Sequence, residues 1–131
     1  MVIDSSALLA ILLGEPEAPR LLLALEATDA RHLAAPSLVE LSAIALARKG
    51  MPGEIALDAL LQRLEIDVVP MSPEAAVAAR SAYRRFGKGI GNPGVLNFGA
   101  CLVYGVAATR GEVVLCKGGD FALTDIALAA Y

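Results

Sequence analysis

The segment MVIDSSA, residues 1–7, decides the fold that the sequence predicts. Val2 and Ile3 form a short apolar run typical of a buried strand, and Asp4 comes where that strand would end. The residues after Asp4 open a longer apolar run with helical spacing. Because a carboxylate at the carboxyl end of a parallel strand faces the crevice where open α/β sheets bind ligands, Asp4 is a candidate metal ligand.

Short apolar strands alternate with helical segments along the chain, which predicts a parallel sheet covered by helices. Proline and glycine at 52 and 53 are expected to break the chain between two helices. No linker or repeat divides the 131 residues, so we expect one α/β domain, residues 1–131, with a short central parallel sheet of four to five strands. Strands are expected at 1–4, 32–34, 67–69 and 113–116, and helices at 6–13, 16–27, 36–49, 54–64, 73–86 and 95–109.

The composition excludes several classes of protein. Hydrophobic residues make up 56% of the chain, but no apolar run reaches the roughly 18–20 residues of a membrane helix. The run Leu8–Leu13 follows Asp4 rather than basic residues, so no signal peptide is expected and the protein is predicted to be cytoplasmic. The net charge of −3 argues against nucleic-acid binding by bulk charge. Cys101 and Cys116 are expected to be reduced core residues.

Two further carboxylates follow apolar segments. Glu40 lies in PSLVELS, residues 36–42, among apolar neighbours, and Asp120 lies in LCKGGDF, residues 115–121, just after a predicted strand. The alternatives are that Asp4 caps a helix and that Asp120 belongs to a turn. Asp125 is expected to be a capping residue.

These segments, with LNFGAC at residues 96–101 between them, occur in the order typical of PIN-domain ribonucleases. The chain resembles the VapC toxin family over essentially its whole length, most specifically at MVIDSSA, PSLVE, FGKGIGN with LNFG, and KGGDFALTDI. The resemblance implies a PIN-like fold and an endoribonuclease dependent on Mg²⁺ or Mn²⁺. Asp4, Glu40 and Asp120 would be the catalytic and metal-binding acids, and Ser6 and Asn97 would support them. It also implies a homodimer and a VapB-type antitoxin as partner.

The chain departs from the family pattern at Ala100, where an aspartate is expected directly after Asn-Phe-Gly. A methyl group cannot bind a cation, so this chain is expected to bind metal weakly and to cleave RNA poorly. Either a laboratory substitution that disarms a toxic nuclease or a natural degenerate member fits Ala100. Gly119 is a second departure, since relatives often carry a polar or acidic residue there. The alternative function is a non-catalytic module that binds antitoxin or RNA.

Basic residues for RNA contact are expected in RRFGKG, residues 84–89, and after the last strand. Cations beside flexible glycine backbone are suited to binding phosphate. The alternative is a solvated helix end whose cations suit the helix dipole. The predicted RNA-binding residues are Arg84, Arg85, Lys88 and Lys117.

Two apolar helical segments are candidates for antitoxin contact. They are Leu8–Leu13 and Leu21–Leu25, and packing in the core is the alternative for both.

Overall fold

The computed structural model describes all residues from Met1 to Tyr131, and its centre is a four-stranded parallel sheet. Because parallel neighbours cannot be joined by tight turns, helices must cross the faces of the sheet between strands. The α/β fold predicted from the alternating pattern is therefore confirmed, with four strands. The strands are β1 (Val2–Ile3), β2 (His32–Ala34), β3 (Asp67–Val69) and β4 (Val114–Leu115), and their order across the sheet is β3-β2-β1-β4.

Six α-helices and one 3-10 turn complete the fold. None of the helices has the length and apolar character needed to span a membrane. The helices are α1 (Ser5–Leu12), α2 (Ala18–Glu26), α3 (Ala35–Lys49), α4 (Met51–Arg63), α5 (Pro73–Phe86) and α6 (Phe98–Arg110), and the 3-10 turn is Phe121–Leu123.

Strands β1 and β4 are wholly apolar and buried because both faces of the sheet are covered there. Successive side chains of a strand point to opposite faces, so Val2 joins a core with α5 and α6 on one side. Ile3 joins a second core with α1, α2 and α4 on the other side. Leu8, Leu21 and Leu25 are fully buried in this second core. The core-packing alternative therefore holds for those three side chains.

The strand order places a crevice at the end of β1. The chain passes from β1 to β2 and β3 in one direction and returns to pair β4 with the opposite edge of β1. Ligands of open α/β sheets bind where the order reverses, at the carboxyl ends of the strands. Asp4 follows β1 at this point, and Lys117 lies just beyond β4. The Ser6 hydroxyl accepts a hydrogen bond from the Lys117 backbone N–H at 3.0 Å, which ties the two strand ends together.

The expected break at Pro52 and Gly53 was wrong, because both residues lie in the first turn of α4. Proline is tolerated there since its missing N–H has no partner within the helix. Gly53 allows α3 and α4 to approach closely. A Cβ at Gly53 would lie 2.6 Å from the backbone oxygen of Ala45.

A charge cluster closes the opposite end of the sheet around Glu112. Its carboxylate lies 2.7 Å from the Met1 amino group, 2.7 Å from His32 Nδ1 and 2.7 Å from Arg110 Nε. Partial burial by itself raises the pKa of Glu112, but the hydrogen bonds from Met1, His32 and Arg110 lower it to about 2. The cluster therefore joins β1, β2 and the end of α6 only while Glu112 is ionised.

We expect Glu112→Gln to lower the free energy of unfolding at neutral pH by about 1–2 kcal/mol, after allowance for solvent screening. Because the pKa in the folded state lies below the ordinary value of 4.5, the stabilisation is complete above that value. It is lost as the pH falls through about 2. Urea denaturation of both proteins across the acid range measures this. Parallel pH profiles for the two proteins would contradict the assignment.

Candidate active site

Asp4 is a buried carboxylate that caps helix α1 and lies within reach of the charge of a second acid. Its Oδ2 accepts a hydrogen bond from the Ser6 backbone N–H at 2.9 Å, so it is the N-cap of α1. The side chain is only 7% exposed. Burial raises the pKa of Asp4, hydrogen bonding by Ser6 opposes this, and the charge of Glu40 raises the pKa further. The capping alternative is thus observed, and the same carboxylate also lies close enough to a second acid to be affected by its charge.

Glu40 reaches this site because α3 and α6 approach each other at a glycine. A Cβ at Gly99 would lie 2.8 Å from Glu40 Oε1 and 3.0 Å from Oε2. A side chain at position 99 would therefore overlap the Glu40 carboxylate, and glycine leaves room for it. Glu40, Asn97 and Gly99 line an open cavity of about 640 Å³.

The start of α6 differs from the expected one. The helix was predicted from residue 95 but begins at Phe98, because Leu96 forms a parallel bridge with Gly87 and Asn97 caps the helix. Asn97 Oδ1 accepts a hydrogen bond from the Ala100 backbone N–H at 2.8 Å. Ala100 therefore lies in the first turn of α6, one residue after the glycine that abuts Glu40. Its methyl group packs partly against the core.

Asp120 lies at the edge of this region rather than within it. Its side chain is 61% exposed, and its Oδ2 lies 3.9 Å from Lys88 Nζ. Asp120 and the buried Asp4 both affect Cys116. Burial and then the charges of these two acids raise the pKa of the Cys116 thiol to about 11. The chain thus places Asp4 and Asp120 within electrostatic reach of one buried thiol.

The arrangement fits a divalent cation through two carboxylates rather than three. No group of three or more His, Cys, Asp or Glu side chains is close enough to hold a metal ion. The charge of Glu40 adds to the cost of ionising Asp4, and a cation beside both carboxylates would offset this repulsion. Mg²⁺ commonly keeps several waters and binds through one or two carboxylates. Asp4 and Glu40 are therefore the residues that could hold such an ion.

Three of the four predicted RNA-binding cations have acidic partners in this structure, since Lys88 is also paired, with Asp120 at 3.9 Å. Lys117 Nζ is bound by Glu15 and lies 3.4 Å from Glu17 Oε2, and the hydrogen bond to Glu15 is the main cause of its raised pKa. Arg85 Nη2 donates to Asp125 Oδ2 at 2.6 Å. Lys88 and Arg84 are exposed, so their side chains are accessible to a ligand.

Asp125 joins the C-terminal segment to both α5 and α6. Besides the bond from Arg85, its Oδ1 accepts a hydrogen bond from the Tyr104 hydroxyl at 2.7 Å. The hydrogen bond from Arg85, and after it that from Tyr104, lowers the pKa of Asp125. Asp125 was expected to be a capping residue, but its side chain instead connects three segments. The loop that carries Asp120 is thereby fixed against the helix that leads to Lys88.

We expect Asp125→Asn to lower the free energy of unfolding by about 1 kcal/mol, because Arg85 and Asp125 are half exposed and solvent screens their interaction. Tyr104→Phe is expected to cost less, and the two changes together are expected to be less than additive, since they remove one shared network. Asp58→Asn, at an exposed position on α4 without an ion pair, is the matched control. Strict additivity in urea denaturation would show that the network is not a unit.

Several residues near the site escaped the sequence interpretation. Arg80 and Phe98 line the cavity beside Arg84, and the charges of Asp4 and Asp120 both act on the Cys116 thiol. Arg80 had a signal in the sequence, because it stands four residues before Arg84 and residues at that spacing share a helix face. Gly99 and Cys116 carried no such signal.

Comparison with known proteins places the chain in a family. The PIN domain family matches residues 1–127. The chain is 45% identical over 130 residues to Ribonuclease VapC30 of Mycobacterium tuberculosis, covering 99% of this chain and 98% of that protein. It is 42% identical over 127 residues to Ribonuclease VapC of Mycolicibacterium smegmatis, covering 97% and 98%. The chain belongs to the PIN-domain family, in its VapC branch.

The fold of this PIN domain is also that of solved toxins. It matches the structure of Mycobacterium tuberculosis VapC20, described as a toxin that cleaves the sarcin-ricin loop, with a TM-score of 0.75 over 95% of each chain at 16% identity. A toxin–antitoxin complex from Klebsiella pneumoniae matches with a TM-score of 0.72 over 99% of this chain and 97% of that chain, also at 16% identity. At these identities the match concerns the fold, and the PIN-like fold implied by the sequence resemblance is confirmed.

Proposed function

We propose that this PIN domain is a metal-dependent endoribonuclease and the toxin of a type II toxin–antitoxin pair. The observation that carries the proposal is the buried Asp4 carboxylate, whose pKa is raised by burial and by the charge of Glu40 at the carboxyl end of β1. Relatives at 40–45% identity over nearly the whole chain are named VapC ribonucleases, which supports it. RNA in the cytoplasm is the proposed substrate.

Asp4 and Glu40 would hold Mg²⁺ or Mn²⁺ in the proposed mechanism. When bound, the ion supplies an activated water and neutralises charge on the scissile phosphate. Ser6 holds the Asp4 carboxylate in place through its backbone N–H, and Asn97 fixes the start of the helix beside Glu40. Asp120 is exposed beside Lys88. Its carboxylate would orient a water, and Lys88 would contact an adjacent phosphate.

In our proposal, Ala100 stands where a further metal-binding acid would otherwise join Asp4 and Glu40. It lies next to the glycine that abuts Glu40, so an aspartate there would extend the carboxylate pair. Its backbone N–H already completes the cap of α6, and this bond does not depend on the side chain. The fold therefore tolerates alanine, and the expected loss is in metal affinity and cleavage rate.

A VapB-type antitoxin and a second copy of the chain are the proposed partners. An open apolar cavity of about 410 Å³ between α1, α2 and α4 is the candidate antitoxin surface. It includes part of the two segments singled out in the sequence, namely Ile11, Leu12 and Leu22, whose side chains are half-buried. The similar fold from Klebsiella pneumoniae is described as a toxin–antitoxin complex, which supports this partner.

The test is cleavage of a structured RNA by the Ala100→Asp protein with Mn²⁺, with EDTA as control. We expect cleavage that EDTA abolishes and that the additional change Asp4→Asn also abolishes. Circular dichroism of each variant checks that the fold is kept. Absence of cleavage by a folded Ala100→Asp protein with either Mg²⁺ or Mn²⁺ would overturn the ribonuclease proposal, and an intact complex with an antitoxin peptide would then favour a binding module.

A further inference from the structure

Phe98 is the most exposed large hydrophobic residue of the chain, at 72%. It is the first residue of α6 and directly precedes Gly99, the residue against Glu40. A phenylalanine in this position gives up the stabilisation that its burial would contribute to folding. The ring is therefore displayed beside the proposed active site without serving the core.

Phe98 stands at the border of two open cavities of different character. The first is the cavity of about 640 Å³ that contains Glu40 and Asn97. The second, of about 530 Å³, runs along α5 and contains Arg80, Tyr83 and Arg84. Phe98 and Leu102 line both cavities. The two cavities therefore adjoin at Phe98 and Leu102, and together they run from Glu40 to a pair of cations.

The second cavity supplies positive charge and apolar surface but no carboxylate. Its lining includes Arg80 and Arg84 and no acidic residue. Neither arginine forms a salt bridge within the chain, in contrast to Arg85, which is paired with Asp125. Unpaired guanidinium groups beside an exposed ring suit a ligand that carries both phosphates and a flat aromatic group. An unpaired nucleotide of RNA has this chemistry.

We propose that Phe98 is a stacking platform for an unpaired base of the RNA substrate, and that Arg80 and Arg84 bind phosphates next to that base. The inference rests on the proposed ribonuclease function and deepens it. It names the residues that would hold one splayed base and its neighbouring phosphates beside the bond that is cut. Fully paired RNA keeps its bases stacked and offers none to Phe98.

The test measures binding in EDTA, where no cleavage occurs, with a hairpin RNA that carries 2-aminopurine at successive loop positions. Phe98→Leu keeps an apolar side chain and removes the aromatic face, whereas Phe98→Tyr keeps the face. We expect Phe98→Leu to weaken binding by about 10-fold and to abolish the fluorescence change at one loop position. Phe98→Tyr is expected to bind within about two-fold of the parent, since it keeps the stacking surface.

The arginines are tested through the salt dependence of the same binding. The double change Arg80→Gln with Arg84→Gln is expected to reduce the slope of log affinity against log salt by about 1 to 2, because each phosphate contact releases counterions. Arg48→Gln, near the far end of α3, is the matched control and is expected to leave the slope unchanged. An unchanged slope in the double variant would overturn the phosphate assignment.

Measuring the molecular mass by light scattering shows whether an RNA base or a second copy of the chain covers Phe98. If each Phe98 variant that changes RNA affinity also changes the molecular mass measured by light scattering, a second copy of the chain covers Phe98. The stacking proposal then fails. Equal RNA affinity of Phe98→Leu and the parent, or failure of the parent to bind the hairpin, also overturns it. Failure of the ribonuclease function is recognised separately, as absence of cleavage by Ala100→Asp while stacking on Phe98 is still detected in EDTA.

Discussion

Ala100→Asp is expected to raise metal-dependent RNA cleavage by about 100-fold over the chain as it stands. The new carboxylate would lie in the first turn of α6, where the helix dipole favours negative charge and Gly99 already abuts Glu40. A third carboxylate near Asp4 and Glu40 strengthens the attraction for a divalent ion. The comparison of initial rates at saturating Mn²⁺ measures the effect.

Ala100→Asn is the matched control for this change, because it has the size of aspartate without its charge. We expect the asparagine protein to cleave no faster than the alanine protein. The aspartate protein is also expected to be less stable than its parent in EDTA, since like charges repel, and to gain more in melting temperature when Mn²⁺ is added. An asparagine variant as active as the aspartate variant would show that charge at position 100 is not the missing element.

Gly105→Ala is expected to lower the free energy of unfolding by about 2 kcal/mol or more. Gly105 lies in the buried middle of α6, where the helix packs on α5. A Cβ there would lie 2.2 Å from the Ala75 backbone oxygen and 2.8 Å from Ala79 Cβ. Alanine is a better helix former than glycine by about 1 kcal/mol, but the overlap with the backbone of α5 outweighs that gain. Urea denaturation measures the difference.

Gly119→Ala is the control for this second change. A Cβ at Gly119 meets no atom within 4 Å, and its backbone does not require glycine. We expect its effect to stay within about 0.5 kcal/mol. Equal stability of the Gly105→Ala and Gly119→Ala proteins would contradict this prediction, because α5 and α6 would then be able to move apart at no cost in free energy.

Local pattern was sufficient for most of the fold. The apolar strands, the Ser72 and Gly50 boundaries and the alternation of strand and helix predicted the element order, because both periodicity and capping act within a few residues. The exceptions also have local causes. Pro52 is compatible with the first turn of a helix, and pairing of Leu96 with Gly87 delays α6 until Asn97 can cap it.

The site was only partly predictable. Asp4 and Glu40 were predicted as metal ligands from strand and helix positions and from the family resemblance. That role stays a prediction, and the structure places their charges close enough to interact. Lys117 and Arg85 were expected to contact RNA, a prediction that stays open, but each has an acidic partner far away in sequence, Glu15 and Asp125. Such partners are set by the packing of distant segments, so no local pattern reports them.

The sequence by itself thus determined the parallel α/β fold, the PIN-domain resemblance and the absence of an acid at Ala100, because these depend on residue identity and short-range spacing. Only the tertiary structure decided which charges meet and which remain free. It placed Asp4 near Glu40, bound Arg85 to Asp125, and left Arg80 and Arg84 unpaired beside the exposed ring of Phe98. The reversal of strand order at β1 and the approach of α6 to α3 and α5 bring these residues together, and both arise from burial of apolar surface across the whole chain.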